Sequence, residues 1–209
     1  MERPLSKTEA RRIVRFYEDR LEEFGDDVKT VGWRSREDQV LRFEMLCRGA
    51  NLRHRRILDV GCGLGDLVAF LDERTDGDFD YTGIDLSERL VAQAEHKYGG
   101  DRRRFFPADV MERDDLGMFD LVFLSGTLSF RTANNIGVAK TMMKRMFGLC
   151  REVVAVNFLS TFVDYQLEKN FHYDPAEMFA YAKSLTPWVA LYHDYPLWEF
   201  TLQMRCHSF

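Results

Sequence analysis

The feature that most narrows the fold is the run Leu-Asp-Val-Gly-Cys-Gly-Leu-Gly-Asp at positions 58–66. Gly61, Gly63 and Gly65 alternate directly after a short apolar stretch (56–60) and directly before a helix-like one (67–71). Residues without side chains let the backbone turn tightly and approach a ligand closely. Amides at the N-terminus of the following helix then point into that space. Tight turns also use glycine, so the run gains its meaning from its place between strand and helix. It predicts a strand–turn–helix unit of an open α/β sheet, where ligands sit at the carboxyl ends of the strands.

The rest of the chain agrees. Beyond residue 53, strand-like segments at 56–60, 79–85, 104–107, 119–125 and 153–158 alternate with helical ones at 67–71, 87–98, 134–149 and 175–185. Ser87 caps the second of these helices, Gly99 and Gly100 close it, and Pro175 opens the last. Such alternation predicts a parallel sheet covered on both faces. Two final strands, near 188–193 and 198–206, have no helix between them. They are joined by Asp-Tyr-Pro-Leu (194–197) and should pair antiparallel.

Residues 1–52 read differently. Ile13, Tyr17, Leu21 and Phe24 recur at spacings of four, four and three, which is one helix face, with Gly25 as its stop. A turn containing Gly32 and Trp33 follows. Ser35 then caps a second helix, with Asp38 three residues on and Val40, Phe43, Leu46 and Cys47 as its apolar face. We expect one domain over 1–209, made of an N-terminal helical part (1–52) and an α/β core (53–209).

Composition excludes several classes. The formal charge is −5, so no global field draws the chain to nucleic acid or an anionic membrane. No segment approaches the roughly 20 apolar residues of a membrane span. The N-terminus has no apolar stretch after its charges, unlike a signal peptide. Cys47, Cys62, Cys150 and Cys206 form no CxxC pair, so neither a metal site nor a disulfide framework is expected. Scattered thiols fit a reducing cytoplasm, and each reads as small apolar filler. The basic runs at 53–56 and 102–104 precede strands and are offset by acidic pairs such as Asp114 and Asp115. They read as solvated faces.

Two carboxylates extend the site. Asp85 ends the second strand, 20 residues after Gly65, where it can accept both hydroxyls of a ribose. Its competing reading is a helix cap. Asp109 follows the third strand in Pro-Ala-Asp-Val (107–110), where it can accept from an adenine amino group between Leu86 and Val110. Its competing reading is a surface-loop carboxylate.

Together these positions closely resemble the class I S-adenosylmethionine-dependent methyltransferases. The resemblance covers about residues 55–160, and the topology carries it to the C-terminus. It implies a Rossmann-like, doubly wound, mostly parallel seven-stranded sheet with an antiparallel C-terminal strand and an N-terminal helical lid. It implies S-adenosylmethionine as cofactor and S-adenosylhomocysteine as product. Asp59, Gly61, Cys62 and Gly63 would border the methionine part, Asp85 the ribose, and Leu86, Asp109 and Val110 the adenine. Ser125 and Gly126 match the position beside the transferred methyl group. In the lid, Tyr17, Trp33 and Arg42 are candidate contacts, with Arg42 pairing the methionine carboxylate and Trp33 packing near the sulfonium. Their alternatives are core for Trp33 and a solvated face for Arg42.

A hydroxyl or ammonium nucleophile would also require a base. Tyr165, His172 and Tyr173, after the fifth strand, are the candidates, ahead of His193 and Asp194. Phe158, Phe162, Tyr165, Phe171, Tyr173 and Phe179 either line an apolar acceptor pocket or pack as core; Met142, Met143 and Met146 read as helix packing. The expected activity is methyl transfer to a small-molecule acceptor through oxygen, nitrogen or carbon. Three rivals stand beside it. A nicotinamide oxidoreductase would want glycine at 66, where the chain has Asp66. A non-catalytic cofactor-binding protein of the same fold would keep every motif. An RNA or DNA methyltransferase is disfavoured by Leu-Ser-Gly-Thr (124–127), which lacks the Asn/Asp-Pro-Pro-aromatic motif of amino-methylating DNA enzymes.

Overall fold

In the computed structural model, which describes residues 5–208, the apolar runs form strands, the central ones largely buried on both faces and the two edge strands only partly buried. These are β1 (Arg55–Val60), β2 (Phe79–Asp85), β3 (Arg103–Pro107), β4 (Phe119–Leu124), β5 (Cys150–Leu159), β6 (Val189–Tyr192) and β7 (Glu199–Arg205). They make one sheet in the order β3-β2-β1-β4-β5-β7-β6. β7 lies antiparallel between β5 and β6, and the other neighbours pair parallel. The expected fold class is therefore found. The strand order reverses between β1 and β4, and at such a switch point the loops leave in opposite directions and open a crevice at the carboxyl edge.

Among the described residues, six helices accompany the sheet: α1 (Lys7–Phe24), α2 (Arg36–Cys47), α3 (Leu67–Thr75), α4 (Glu88–Tyr98), α5 (Asn135–Gly148) and α6 (Pro175–Leu185). α2, α3 and α4 bury Phe43, Leu46, Phe70, Leu71, Val91 and Ala94 against one sheet face. α5 and α6 bury Val138, Met143, Met146, Met178 and Ala182 against the other. A fully buried side chain of this kind contributes about 1.5–3 kcal/mol, so both layers are firmly attached. Gln203 of β7 adds a polar rivet: its amide donates to the carbonyls of Leu46 and Arg48, each at 2.9 Å. Those carbonyls at the end of α2 have no partner within the helix.

The helix starts follow their caps. Ser35, Ser87 and Asp174 each accept from backbone amides of the first turn. α1 begins earlier than its apolar spacing indicates, because Ser6 and Glu9 form a reciprocal capping box. β5 is longer than the apolar core of its sequence, running on to Leu159.

α1 is attached in another manner. It contains no buried residue. Polar side chains hold it at both ends: Glu9 accepts from the Ala133 amide (2.7 Å), and Glu18 accepts from the Ser87 hydroxyl (2.7 Å). Phe16 rests on Phe130, with ring centroids 5.3 Å apart. The helix thus spans the carboxyl edge from the start of α5 to the start of α4. Residues 1–4 and 209, which the single-domain expectation includes, lie outside the described residues.

Candidate functional site

The glycine turn is locked onto the end of β2. The amides of Gly61 and Cys62 both donate to the Ile84 carbonyl, at 2.7 and 3.0 Å. Gly61, Gly63 and Gly65 all have positive φ, a region that side chains rarely adopt. Space forbids a side chain as well: a Cβ on Gly61 would lie 2.1 Å from Thr127 Oγ1, and one on Gly63 would lie 2.8 Å from Val31 Cγ1. The turn is therefore clasped between the segment after β4 and the α1–α2 connection.

Above it lies a cavity of about 700 Å³. Asp85 sits on its floor, with one carboxylate oxygen accepting from the Gly63 amide and the other from the Ser87 amide, both at 3.0 Å. Burial pushes this carboxyl above its ordinary range, and the amides of Ser87, Gly63 and Leu86 oppose that. Asp85 thus braces the start of α4 while facing the cavity.

Asp59, at the end of β1, is buried. Its Oδ2 accepts from the Tyr81 hydroxyl at 2.6 Å, and its Oδ1 has no hydrogen-bond partner. Burial raises it to about 7; the Tyr81 hydrogen bond counteracts this, and the nearby Asp85 and Asp66 reinforce it. An orphaned acceptor at a cavity wall is costly unless a ligand donor reaches it.

Asp109 accepts from the Met111 amide at 2.9 Å and lines the cavity, as do Leu86 and Val110. Cys62, Ser125 and Gly126 line the cavity too. The Ser125 hydroxyl is buried without a partner, while the Gly126 amide donates to Asn157 Oδ1 at 2.9 Å. Ile13, Val14 and Tyr17 of α1, with Val31 and Trp33 of the following turn, line the cavity on the helical side. Burial raises the Tyr17 hydroxyl, with Ser129 opposing and Asp85 adding. The donors and acceptors fit an elongated ligand with an ammonium, a vicinal diol and a purine: Asp59 Oδ1 for the first, Asp85 for the second, Asp109 for the third.

Four expected residues stand elsewhere. Arg42 is neither a solvated face nor part of the cavity lining. Its guanidinium stacks 3.5 Å over the Trp33 ring and is paired with Glu199, both members of that pair being buried. The charge meant for a ligand carboxylate is thus already engaged. Tyr165, His172 and Tyr173 do not line the cavity either. Tyr165 is 71% exposed. Tyr173 is fully buried, donating to the Leu128 carbonyl at 3.0 Å and packing on Phe158 and Phe171. His172 sits half-buried beside Arg131, and burial with that charge lowers its pKa. The physical reason is a zipper between two loops. The Phe171 amide donates to Ser129 and the Arg131 amide to Lys169, at 2.9 and 2.8 Å. This closes the segment after β5 against the segment after β4 and turns it outward. His193 contacts Phe162 and Phe200, and Asp194 pairs with Arg48.

Sequence reasoning missed Gln39, Asp66, Thr127, Asn135 and Met142, all of which line the cavity. Asp66 makes no cap bond to α3 and instead accepts from Gln39 (3.0 Å) and Lys97 (3.4 Å). The available signal was a glutamine on an otherwise apolar helix face beside a conspicuous Asp after the glycines. The basic runs are ion-paired at the opposite edge: Arg53 with Asp76, Arg55 with Glu152 and Arg102 with Asp80. Among the described residues, no cluster of His, Cys, Asp and Glu is arranged to hold a metal ion.

A doubly wound sheet closed by a reversed hairpin, with a glycine turn and strand-end carboxylates at the switch point, defines a methyltransferase-type architecture. A family model described as a methyltransferase domain matches residues 57–154. A Mycobacterium tuberculosis protein that carries a provisional methyltransferase name is 30% identical over 158 residues, spanning 71% of this chain and 92% of its own. Among solved structures, magnesium protoporphyrin IX methyltransferase from Synechocystis with bound SAH superposes with a TM-score of 0.66 at 17% identity, covering 93% of this chain and 99% of that one. The DhpI–SAH complex gives 0.68 at 17% identity, covering 93% and 95%. The chain belongs to the methyltransferase family.

Proposed function

We propose that this protein binds S-adenosylmethionine in the 700 Å³ cavity and transfers its methyl group to a small-molecule acceptor, leaving S-adenosylhomocysteine. The observation that carries this reading is the Asp85 carboxylate, held by the Gly63 and Ser87 amides directly beside the glycine turn. It is prepared to take two ribose hydroxyls without reorganising. Asp59 and the turn from Gly61 to Gly63 would border the methionine part, and Leu86, Asp109 and Val110 the adenine. The cofactor, when bound, supplies a methyl group already activated on a sulfonium sulfur.

The chain's own task is then to align and to exclude water. Ser125 and Gly126 border the reacting end, with Trp33 and Tyr17 as its cover. Alignment alone contributes on the order of 7–11 kcal/mol in the best intramolecular models. α1 acts as the lid of a single domain: it contains no buried residue and is held by polar contacts near its two ends and by Phe16 on Phe130, so it can lift without disturbing the core. None of Tyr165, His172 and Tyr173 belongs to the lining, so the base expected from them is not part of this proposal.

A small acceptor is supported by the neighbours. One is named for magnesium protoporphyrin IX, and another is the pyocyanin biosynthetic protein PhzM, with a TM-score of 0.63 at 15% identity. The basic runs, paired at the far edge, favour small molecules over nucleic acid. No helix among the described residues is long and apolar enough to cross a membrane.

Thermal unfolding with S-adenosylmethionine, S-adenosylhomocysteine, NADH and NADPH tests the reading. A ligand at 100 times its Kd stabilises by about 2.7 kcal/mol, and each kcal/mol raises the midpoint of a domain this size by roughly 2–4 °C. The two adenosyl ligands alone should raise it. A rise with a nicotinamide cofactor alone overturns the proposal. Binding of the adenosyl ligands without turnover of any acceptor would instead mark a non-catalytic binding protein.

A further inference from the structure

The lining of the cavity contains more than the cofactor reading uses. That reading takes the glycine turn, Asp59, Asp85 and Asp109 with their apolar neighbours. A further part of the lining, between α1 and the start of α5, is apolar and includes Leu5, Ile13, Val14, Phe130, Val138 and Met142. Leu5 and Met142 pack against the buried cluster that contains Val138. Glu9 on the Ala133 amide and Phe16 on Phe130 bring α1 against this end.

The polar side chains at this end are engaged with nearby backbone. Asn135 accepts from the Thr132 amide at 2.7 Å and donates to the Phe130 carbonyl at 2.8 Å. Asn134 accepts from the Gly137 amide at 3.0 Å, and Thr141 donates to the Gly137 carbonyl at 2.7 Å. Two hydroxyls of the lining differ: Thr132 Oγ1 and Ser125 Oγ are buried without a hydrogen-bond partner. Buried polar atoms are normally satisfied, so these two are open to a ligand group. The charge of the lining has one sign. Asp59, Asp66, Asp85, Asp109 and Glu112 belong to it, and among the described residues no arginine, lysine or histidine does. Cations on neighbouring elements are engaged elsewhere: Arg42 with Glu199, Lys97 with Asp26 and Asp66, Arg12 with the Arg131 carbonyl, and Arg131 with the Glu168 and Asn170 carbonyls.

We infer that the acceptor is an uncharged, largely apolar molecule that lies between α1 and α5 and presents an oxygen to the hydroxyls of Ser125 and Thr132; this rests on the cavity being the methyl-transfer site. Each hydroxyl has one proton to donate and lone pairs to accept with, so a carbonyl or hydroxyl oxygen satisfies it without any charge. The apolar side chains favour a molecule whose remaining surface is apolar too. An anionic acceptor would leave its hydration shell, find no cation in the lining and meet carboxylates instead. A cationic acceptor fares little better at this end: Asp59 and Asp85 face the cofactor, and Asp66 is already paired with Lys97. Selection against charge is therefore built into the lining, with Thr132 as the residue that reads the acceptor's oxygen.

The test uses three probes of matched shape on the whole protein saturated with S-adenosylhomocysteine: 4-propylbenzamide, 4-propylbenzoate and 4-propylbenzylammonium, titrated by saturation-transfer NMR at neutral pH. The amide should bind at least about tenfold more tightly than either ion, the least expected when a charge is buried without a partner. Val14→Lys, on a helix that contains no buried residue, adds a cation to the apolar end. It should tighten the benzoate at least about tenfold through a charge-assisted contact. Thr132→Val keeps the shape, removes the hydroxyl and should weaken the amide by about threefold to tenfold. The thermal shift caused by S-adenosylhomocysteine is measured on every variant, and its retention shows that each one is folded and loaded; Ile13→Lys replaces Val14→Lys if that variant loses the shift. Equal binding of the three probes, a preference for either ion, or a benzoate unmoved by the added lysine overturns the inference and leaves the cofactor reading standing. No binding of the amide to the loaded protein also overturns it. Failure of the parent protein to respond to S-adenosylhomocysteine would sink the cofactor reading itself, and this inference with it.

Discussion

Replacing Asp59 with Asn should remove a specific pH dependence of stability. Asp59 is buried at the end of β1, and burial lifts it from the ordinary 3.8 to about 7. In the unfolded chain the carboxyl ionises near 3.8, whereas in the folded protein it keeps its proton until about 7. Between those values the folded state binds the extra proton, so stability falls as pH rises. The stabilisation is fully present below about pH 3.8, is lost progressively up to about pH 7, and is flat beyond. The slope inside the window is about 1.4 kcal/mol per pH unit. The whole span is about 4 kcal/mol, an upper figure because the denatured chain is not fully solvated. At roughly 2–4 °C per kcal/mol, the unliganded midpoint should drop by about 3–6 °C from pH 5.5 to 6.5 through this residue. Asn has no charge to bury and can still accept from the Tyr81 hydroxyl. Differential scanning calorimetry of parent and Asp59→Asn across pH 5–8 isolates the effect, since Asp85 and the other groups contribute to both curves. The two midpoints should converge toward pH 5 and separate as pH approaches 7, with the variant the more stable. Parallel curves would refute the assignment of Asp59 as a carboxyl held neutral by burial.

Gly61→Ala puts a Cβ 2.1 Å from Thr127 Oγ1 at a φ of +76°; backbone strain alone costs about 1–3 kcal/mol, and chemical denaturation should show at least that loss. Thr127→Ala in the same chain should recover only the steric part. α1, with no buried residue, should exchange its amide hydrogens faster than the sheet, slow down when S-adenosylhomocysteine binds, and speed up with salt as its charged contacts are screened. Tyr165→Phe and His172→Ala should leave kcat within twofold of the parent on any acceptor found, because neither residue lines the cavity; a hundredfold loss in either would return the base to the segment after β5.

The core of the fold was legible because its signals are local. A glycine turn between an apolar run and a helix, Ser87 and Pro175 at helix starts, and a helix-free link at 194–197 each state their own structure. The carboxylates of the cavity share this property, since Asp59, Asp85 and Asp109 stand at or just after strand ends whose place in the sheet follows from the alternation. The surroundings of the cavity do not. Arg42 looked free because nothing in the sequence links it to Glu199, 157 residues away along the chain. Tyr165, His172 and Tyr173 were drawn in by their position after β5, and the pairing of residues 129–131 with 169–171 that turns them outward is a contact between two irregular loops. Gln39 and Asn157 were passed over because a lone polar residue on an apolar segment has no periodicity to betray it. The aromatic group also divided in space: Phe158 and Tyr173 are core, while Phe162 and Tyr165 are exposed.

The most direct test of the central claim is the crystal structure of the protein with S-adenosylhomocysteine. The account predicts the ribose hydroxyls on Asp85, the adenine between Leu86 and Val110 with its amino group toward Asp109, and the ligand ammonium within hydrogen-bond distance of Asp59 Oδ1. The sulfur should lie at the end bordered by Ser125 and Gly126. Density for the ligand outside this cavity, or inside it with Asp85 untouched, would contradict the account.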